Sequence, residues 1–335
     1  MAVRIAINGF GRIGRNILRA LAESDRNDIN IVAINSTGSI ETNAHLLKYD
    51  SIHGRYKREI KITQNSIDVG LGPIAVLTEL NPERLPWKDL NIDIVFECTG
   101  KFTDHEKAIL HLKAGAKKVL VSAPSKGADI TVVYGVNHNN IKKTDNIISS
   151  ASCTTNALAP IASVLNNKIG IESGFVTAVH SYTGDQPTID KNHKDLYRAR
   201  AAAMSMIPTS TGAAAAVGLI LPELSGKLDG VSIRVPTPNV SLIDFKFISS
   251  RSTTVDEINN SIIEATNNQL KGVLNWTEEK LVSTDFNHDP HSSIFAIDQT
   301  RVIDSKLVRV MSWYDNEWGF SNRMNDLAAI IGKLI

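Results

Sequence analysis

The chain has 335 residues, 42% of them hydrophobic, which is ample for a large core and long enough for two domains. Its 36 basic and 35 acidic residues leave a formal charge of +1, which excludes any global electrostatic case for nucleic acid or an anionic membrane as primary partner. Only two cysteines occur, Cys98 and Cys153, so a disulfide framework is excluded and a reducing compartment is expected. The opening Met-Ala-Val-Arg-Ile enters a strand pattern at once, without a signal-peptide core. The apolar run Gly212-Ala-Ala-Ala-Ala-Val-Gly-Leu-Ile-Leu221 falls short of the ~18 residues of a membrane span. A cytoplasmic, soluble protein is expected.

Residues 3–7 read as a short apolar strand, followed by Gly9-Phe-Gly11-Arg-Ile-Gly14, a helix over 15–23 and a second strand over 29–34. Strand, glycine turn, helix and strand is the order of a dinucleotide-binding fingerprint. In it Gly9 permits the tight turn, Gly11 lets backbone approach a pyrophosphate, and Gly14 lets helix pack on strand. The helix N-terminus then faces the phosphates. Further strands are predicted over 74–77, 92–97, 119–122 and 130–134, with a helix over 105–114. Alternating strands and helices imply a mostly parallel sheet, whose strand ends at Cys98-Thr-Gly100 and Ser122-Ala-Pro124 line the cofactor cleft. Cys98 closes an apolar strand and is read as a small buried residue. The acidic residue expected after the second strand, to hold the ribose 2′-hydroxyl of NAD, is missing. Asn35-Ser36-Thr37-Gly38 stands there, and a serine donates to a 2′-phosphate where a carboxylate repels it. The other reading is that Asn35 and the backbone hold NAD unaided.

Ser149-Ser-Ala-Ser-Cys153-Thr-Thr-Asn places a thiol at a helix start, where the helix dipole favours thiolate, the nucleophilic form. A strand over 176–179 ends at His180-Ser-Tyr-Thr183-Gly-Asp185. Nine histidines occur, and spacing alone leaves His180 as apt to be structural as catalytic. Arg198 lies in a polar, basic segment, and Thr209-Ser-Thr211-Gly212 opens an alanine-rich helix whose N–H groups suit an anion. Arg234, in an apolar strand, is either paired structurally or held for a ligand anion. A nucleophile, a base and several anion sites within about a hundred residues point to a phosphorylated substrate.

Six motifs in order carry a family resemblance: Ile7-Asn-Gly-Phe-Gly-Arg-Ile-Gly-Arg15, Leu46-Leu-Lys-Tyr-Asp-Ser51, Ser150-Ala-Ser-Cys-Thr-Thr-Asn156, Pro208-Thr-Ser-Thr-Gly-Ala-Ala214, Arg234-Val-Pro-Thr-Pro-Asn-Val240 and Trp313-Tyr-Asp-Asn-Glu-Trp-Gly319. Over its whole length the chain resembles the phosphorylating glyceraldehyde-3-phosphate dehydrogenases. The resemblance implies an α/β protein. A Rossmann-type doubly wound domain over 1–151 would be completed by a C-terminal helix over 316–335, and an α+β catalytic domain with a mixed or antiparallel sheet would cover 152–315. That last helix is apolar at Met324, Leu327, Ile330 and Ile331, spaced by three and four.

The resemblance also implies oxidation of glyceraldehyde 3-phosphate through a thioester on Cys153, with His180 as base and inorganic phosphate releasing 1,3-bisphosphoglycerate. Substrate phosphate falls to Thr183 and Arg234 with Asp185 nearby, and inorganic phosphate to Ser152, Thr154, Arg198, Thr211 and Gly212. The cofactor is expected at Gly9, Gly11, Arg12, Ile13, Gly14, Asn35, Ser36, Ser122 and Asn316, with no metal. A homotetramer is expected, bringing Lys191 from a neighbouring subunit toward the adenosine ribose. Relatives that use NAD usually carry aspartate at the position of Ser36 and leucine-proline at Lys191-Asn192, so Ser36 and Lys191 together suggest that NADP is accepted well, even in preference to NAD. Other departures are Ala157 for a second cysteine, Leu80 for a basic residue near adenine, Phe320 for tyrosine, and Tyr197 before Arg198. Two alternatives stand beside this reading: erythrose-4-phosphate dehydrogenase, and a non-catalytic binding protein on the same fold.

Overall fold

A computed structural model describes residues 2–335. The chain forms two compact units. One comprises the residues up to Ser152 together with Ser321–Ile335, the other Cys153–Phe320.

The first unit is built on β1 (Val3–Asn8), α1 (Arg12–Glu23), β2 (Ile29–Asn35), α2 (Ile40–Lys48), β3 (Pro73–Leu77), β4 (Ile94–Glu97), α3 (His105–Lys113), β5 (Lys118–Val121), β6 (Ile130–Thr131) and β7 (Ile147–Ser149). These strands lie in the order β6-β7-β5-β4-β1-β2-β3, all parallel, and short antiparallel strands at Ser66–Asp68 and Lys61–Ile62 extend the β3 edge. Parallel strands covered on both faces read as continuous apolar runs, and Ile94, Val95 and Phe96 of β4 are all fully buried. Burying each contributes about 1.5–3 kcal/mol. The chain runs β1, β2, β3 to one side and returns to β4 on the other, so the sheet reverses between β1 and β4. Ligands bind outside the carboxyl ends of strands at such a switch.

α1 begins at Arg12, inside the glycine motif and three residues earlier than expected. Gly9 sits at φ +95°, which carries the chain off β1, and a Cβ on Gly14 would lie 2.3 Å from Gly9 O. The absence of that atom lets the helix start tight against the strand. β6 is two residues long rather than five. The Asn137 side chain accepts from Val133 N–H and donates to Thr131 O, and this clamp bends the chain off the ladder. β4 likewise starts at Ile94, because Ile92 N–H bonds to Trp87 O in the preceding turn.

The second unit holds α4 (Cys153–Ile169), β8 (Ile171–Ser181), β9 (Ile207–Ser210), α5 (Ala213–Ile220), β10 (Leu228–Val235), β11 (Ser241–Ser249), α6 (Val255–Asn267), β12 (Leu274–Thr277), β13 (Ser293–Ala296) and β14 (Leu307–Tyr314). Its sheet order is β9-β10-β8-β11-β14-β13-β12, and α4 packs beside α5 and α6. The sheet is mixed: β8 runs parallel to β10 and antiparallel to β11. That pairing sets His180 opposite Arg234 in register.

The last helix, α7 (Trp318–Gly332), starts two residues later than expected. Asp315 Oδ1 accepts from the N–H groups of Glu317 and Trp318, so Asp315 closes the helix start and Asn316 is left outside it. Met324, Leu327 and Ile331 of its apolar stripe are fully buried. No helix among the described residues is long and apolar enough to cross a membrane.

Candidate active site

In the first unit a cavity of about 340 Å³ opens at the switch point, lined by Gly9, Gly11, Asn35, Ser36, Thr37, Cys98 and Thr99 among others. A Cβ on Gly9 would come within 2.6 Å of Thr99 N, whereas one on Gly11 would meet nothing within 4 Å. The first glycine therefore closes the floor, and the backbone at the second is open to a ligand. Arg12, Ile13 and Gly14 form the first turn of α1, and a helix N-terminus of this kind suits a pyrophosphate. Arg12 is fixed by a two-point ion pair to Asp50, at 3.0 and 3.1 Å. Burial works against that carboxylate's charge, yet Arg12 and the N–H groups of His53 and Ile52 hold its pKa down to about 2. These residues fit a dinucleotide.

Three residues expected at the cofactor also bond within the protein. Asn35 donates through Nδ2 to Asn8 Oδ1 and Glu79 O, and its Oδ1 accepts from Glu79 N–H. Both Nδ2 hydrogens of Asn35 are thus used, and its Oδ1 keeps one lone pair. Ser122 Oγ donates to Glu97 O at 2.9 Å, and Ser36 Oγ donates to Asn43 Oδ1 at 3.2 Å. Cys98 is half-buried at the cavity edge rather than enclosed. Burial pushes its thiol up to about 12, which leaves it a poor nucleophile. Both cysteines are free.

Beneath this cavity lies a polar network that the sequence reading missed. Glu97, 1% exposed, accepts from Asn8 Nδ2 at 2.6 Å and His111 Nε2 at 3.1 Å through one oxygen, and from the Thr99 N–H and hydroxyl through the other. Trp87 Nε1 donates to His111 Nδ1, so Nε2 is the nitrogen that carries the proton to Glu97. The signal available was a carboxylate closing the apolar run Ile94-Val95-Phe96.

In the second unit Cys153 is the first residue of α4, and its Sγ lies 3.5 Å from His180 Nε2. His180 Nδ1 is 2.7 Å from Ser181 O. A carbonyl only accepts, so Nδ1 carries the proton and the Nε2 lone pair faces the sulfur. This is the tautomer a base needs. Burial drives the imidazole pKa down to about 3, helped by the nearby Arg234 cation. Burial also pushes the thiol up, opposed by Arg234 and the Thr154 hydroxyl. Burial thus opposes whatever the helix end does for the Cys153 thiolate, and a proton passing from the sulfur to Nε2 would leave the pair oppositely charged. Tyr314 packs edge-on to His180 at 6.0 Å. Its hydroxyl lies 3.0 Å from Thr154 Oγ1, so Thr154 supports the site from behind, with its own hydroxyl already bonded.

Arg234 Nη1 donates to Thr183 Oγ1 at 2.8 Å and to Ser181 O at 3.2 Å, while its buried Nε has no partner. Thr183 in turn donates to Asp185. Burial opposes ionisation of Asp185, but the Thr183 hydroxyl and the cations Arg234 and Arg198 hold its pKa below the usual carboxylate range. Arg198 is more firmly engaged than expected of a phosphate ligand: Nε donates to Thr209 Oγ1 at 2.9 Å, Nη1 to Asp185 at 3.2 Å, and Asp195 lies 3.7 Å away. Gly212 precedes α5, and Thr211 Oγ1 accepts from Ala213 N–H at 3.2 Å. Asn316 Oδ1 accepts from Ser181 and Ser241, at 2.9 and 2.8 Å, and its Nδ2 has no hydrogen-bond partner among the described residues. Lys191 is exposed on the loop beyond Asp185, with no ion pair among the described residues. No three His, Cys, Asp or Glu side chains gather as a metal site among the described residues.

A dinucleotide turn in one unit and a thiol facing an imidazole in the other are the equipment of a nicotinamide-dependent oxidoreductase. Residues 3–105 match the family model "Glyceraldehyde 3-phosphate dehydrogenase, NAD binding domain", and 152–316 match "Glyceraldehyde 3-phosphate dehydrogenase, C-terminal domain". The chain belongs to the glyceraldehyde-3-phosphate dehydrogenase family. It is 64% identical over 334 residues to the glyceraldehyde-3-phosphate dehydrogenase of Xanthobacter flavus and 62% identical over 335 to that of Cereibacter sphaeroides, covering 100% of each chain. A plasmid-encoded relative from Cupriavidus necator is 55% identical over 333 residues, 99% of both chains.

Proposed function

We propose that this protein oxidises glyceraldehyde 3-phosphate in the presence of inorganic phosphate, giving 1,3-bisphosphoglycerate through a thioester on Cys153. The observation that carries the reading is the 3.5 Å approach of Cys153 Sγ to a His180 Nε2 whose lone pair is fixed toward it by Ser181 O. Sulfur passes its proton to Nε2 as it attacks the aldehyde carbon, and the new oxyanion takes that proton back from Nε2. The Cys153 N–H and the His180 ring stabilise the oxyanion, a contribution of roughly 2.7–4 kcal/mol per donor. The neutral imidazole then removes the hydroxyl proton as hydride departs. The bound dinucleotide supplies the hydride acceptor.

A thioester remains on Cys153. A phosphate oxygen attacks its carbonyl carbon, the C–S bond breaks, and the sulfur leaves as thiolate. Arg234 and Thr183, already joined by a hydrogen bond, suit the substrate's phosphate through the guanidinium charge. Ser152, Thr211 and the N–H groups beyond Gly212 suit the inorganic one, with Arg198 and Thr154 in supporting places. The Nδ2 of Asn316, a donor left over once Oδ1 is engaged, suits the oxygen of the cofactor's carboxamide. Association into a homotetramer fits the apolar side chains that the 186–206 segment leaves to solvent, Leu196 at 83% and Met204 at 82% exposed. A cytoplasmic location follows from the free thiols the chemistry needs.

Initial rates of dinucleotide reduction with glyceraldehyde 3-phosphate and with erythrose 4-phosphate, each with and without inorganic phosphate, test this. Phosphate-dependent turnover with at least a tenfold preference for the three-carbon substrate is expected. A preference for erythrose 4-phosphate, or rates indifferent to phosphate, rejects it.

A further inference from the structure

The end of β2 lacks the carboxylate that reads the adenosine ribose in this kind of domain. Ser36 does not replace it with a free donor. Its Oγ gives its proton to Asn43 Oδ1 and accepts from Gly38 N–H at 3.3 Å, so the loop already uses both its roles. The neighbouring strand, β3, pairs in register with β2, and Ser36 N–H bonds to Leu77 O at 3.0 Å. Two residues beyond Leu77, the Asn35 side chain grips both backbone groups of Glu79, each at 2.9 Å. Asn35 is held in turn by Asn8, and Asn8 by the buried Glu97. This brace fixes Glu79 beside the very residues where the carboxylate is missing. Glu79 is half-buried and lines the same cavity as Gly9, Gly11, Ser36 and Thr37. Its Oε1 accepts from Asn81 N–H at 2.8 Å, and its Oε2 takes no hydrogen bond among the described residues. Lys101, the cation lining the cavity, follows β4, three strand spacings and about 14 Å across the sheet from β3.

We propose that Glu79 supplies the absent carboxylate, accepting through Oε2 from the ribose 2′-hydroxyl of NAD and repelling the 2′-phosphate of NADP. This rests on the first unit holding a nicotinamide dinucleotide, and it reverses the preference suggested by Ser36 and Lys191. A 2′-phosphate brings about two negative charges beside a carboxylate whose backbone the brace holds and whose Oε1 is held by Asn81 N–H. Isothermal titration of the full chain with NAD+ and with NADP+ tests it, for wild type, Glu79→Gln and Glu79→Asp. Wild type binds NAD+ at least tenfold more tightly than NADP+. Glu79→Gln narrows that ratio at least fivefold, and Glu79→Asp, which keeps the charge, retains more of it. A smaller narrowing, or a wild type that favours NADP+, overturns the proposal while leaving the dinucleotide reading intact. Binding of neither dinucleotide overturns both.

Discussion

Replacing His180 by glutamine lowers kcat about 10²- to 10⁴-fold, the usual contribution of a positioned general base, with little change in KM for the aldehyde. The expectation follows from geometry and burial together. Nε2 is the acceptor at 3.5 Å from the sulfur, and burial has raised the thiol pKa above its ordinary value. Without the imidazole, the sulfur has no neighbour to take its proton, and ionisation requires a higher pH. Alkylation of Cys153 by iodoacetamide therefore slows at least tenfold at pH 7 in the variant and recovers as pH rises, a tenfold loss matching a shift of about one pH unit. Rates against pH for both proteins check this. Equal alkylation at pH 7 would show that His180 does not govern the thiol.

Arg234→Gln produces the second large effect, and it is selective. A hydrogen bond to a charged group contributes about 1.5–3 kcal/mol, which is roughly tenfold to a hundredfold in kcat/KM. The loss is expected to fall on the phosphorylated aldehyde, because the Arg234–Thr183 pair is the place proposed for its phosphate. Arg234 also lowers the pKa of Cys153 and of His180, so some loss appears with unphosphorylated glyceraldehyde too. The ratio of kcat/KM for the two aldehydes isolates the phosphate contact. It is expected to fall at least tenfold, and a ratio unchanged within twofold places substrate phosphate elsewhere.

Local chemistry was legible in the chain before its fold was. Gly9 and Gly14 announce a tight turn and a close approach because nothing else fits a positive φ or a 2.3 Å gap. The thiol at a helix start and the apolar stripe of α7 are equally local. Strand ends were not legible where a side chain stops a ladder, as Asn137 does at β6, or where Asp315 delays a helix. The Glu97 network escaped because residues 8, 87, 97, 99 and 111 meet only through sheet order. The electrostatics of Cys153 escaped for a related reason. A helix dipole can be read from spacing, whereas desolvation depends on what α4 and β8 enclose. Ser36 shows the same limit from the other direction: its type suggested a free donor, and its partner Asn43 removed that freedom.

The most direct test of the whole account is acid quenching during turnover with glyceraldehyde 3-phosphate under limiting inorganic phosphate, followed by peptide mass spectrometry. The peptide carrying Cys153 is expected to gain the acyl group of the oxidised substrate, and to lose it when phosphate is added. Sustained oxidation with residue 153 never acylated would contradict the covalent mechanism and the role given to every side chain around that sulfur.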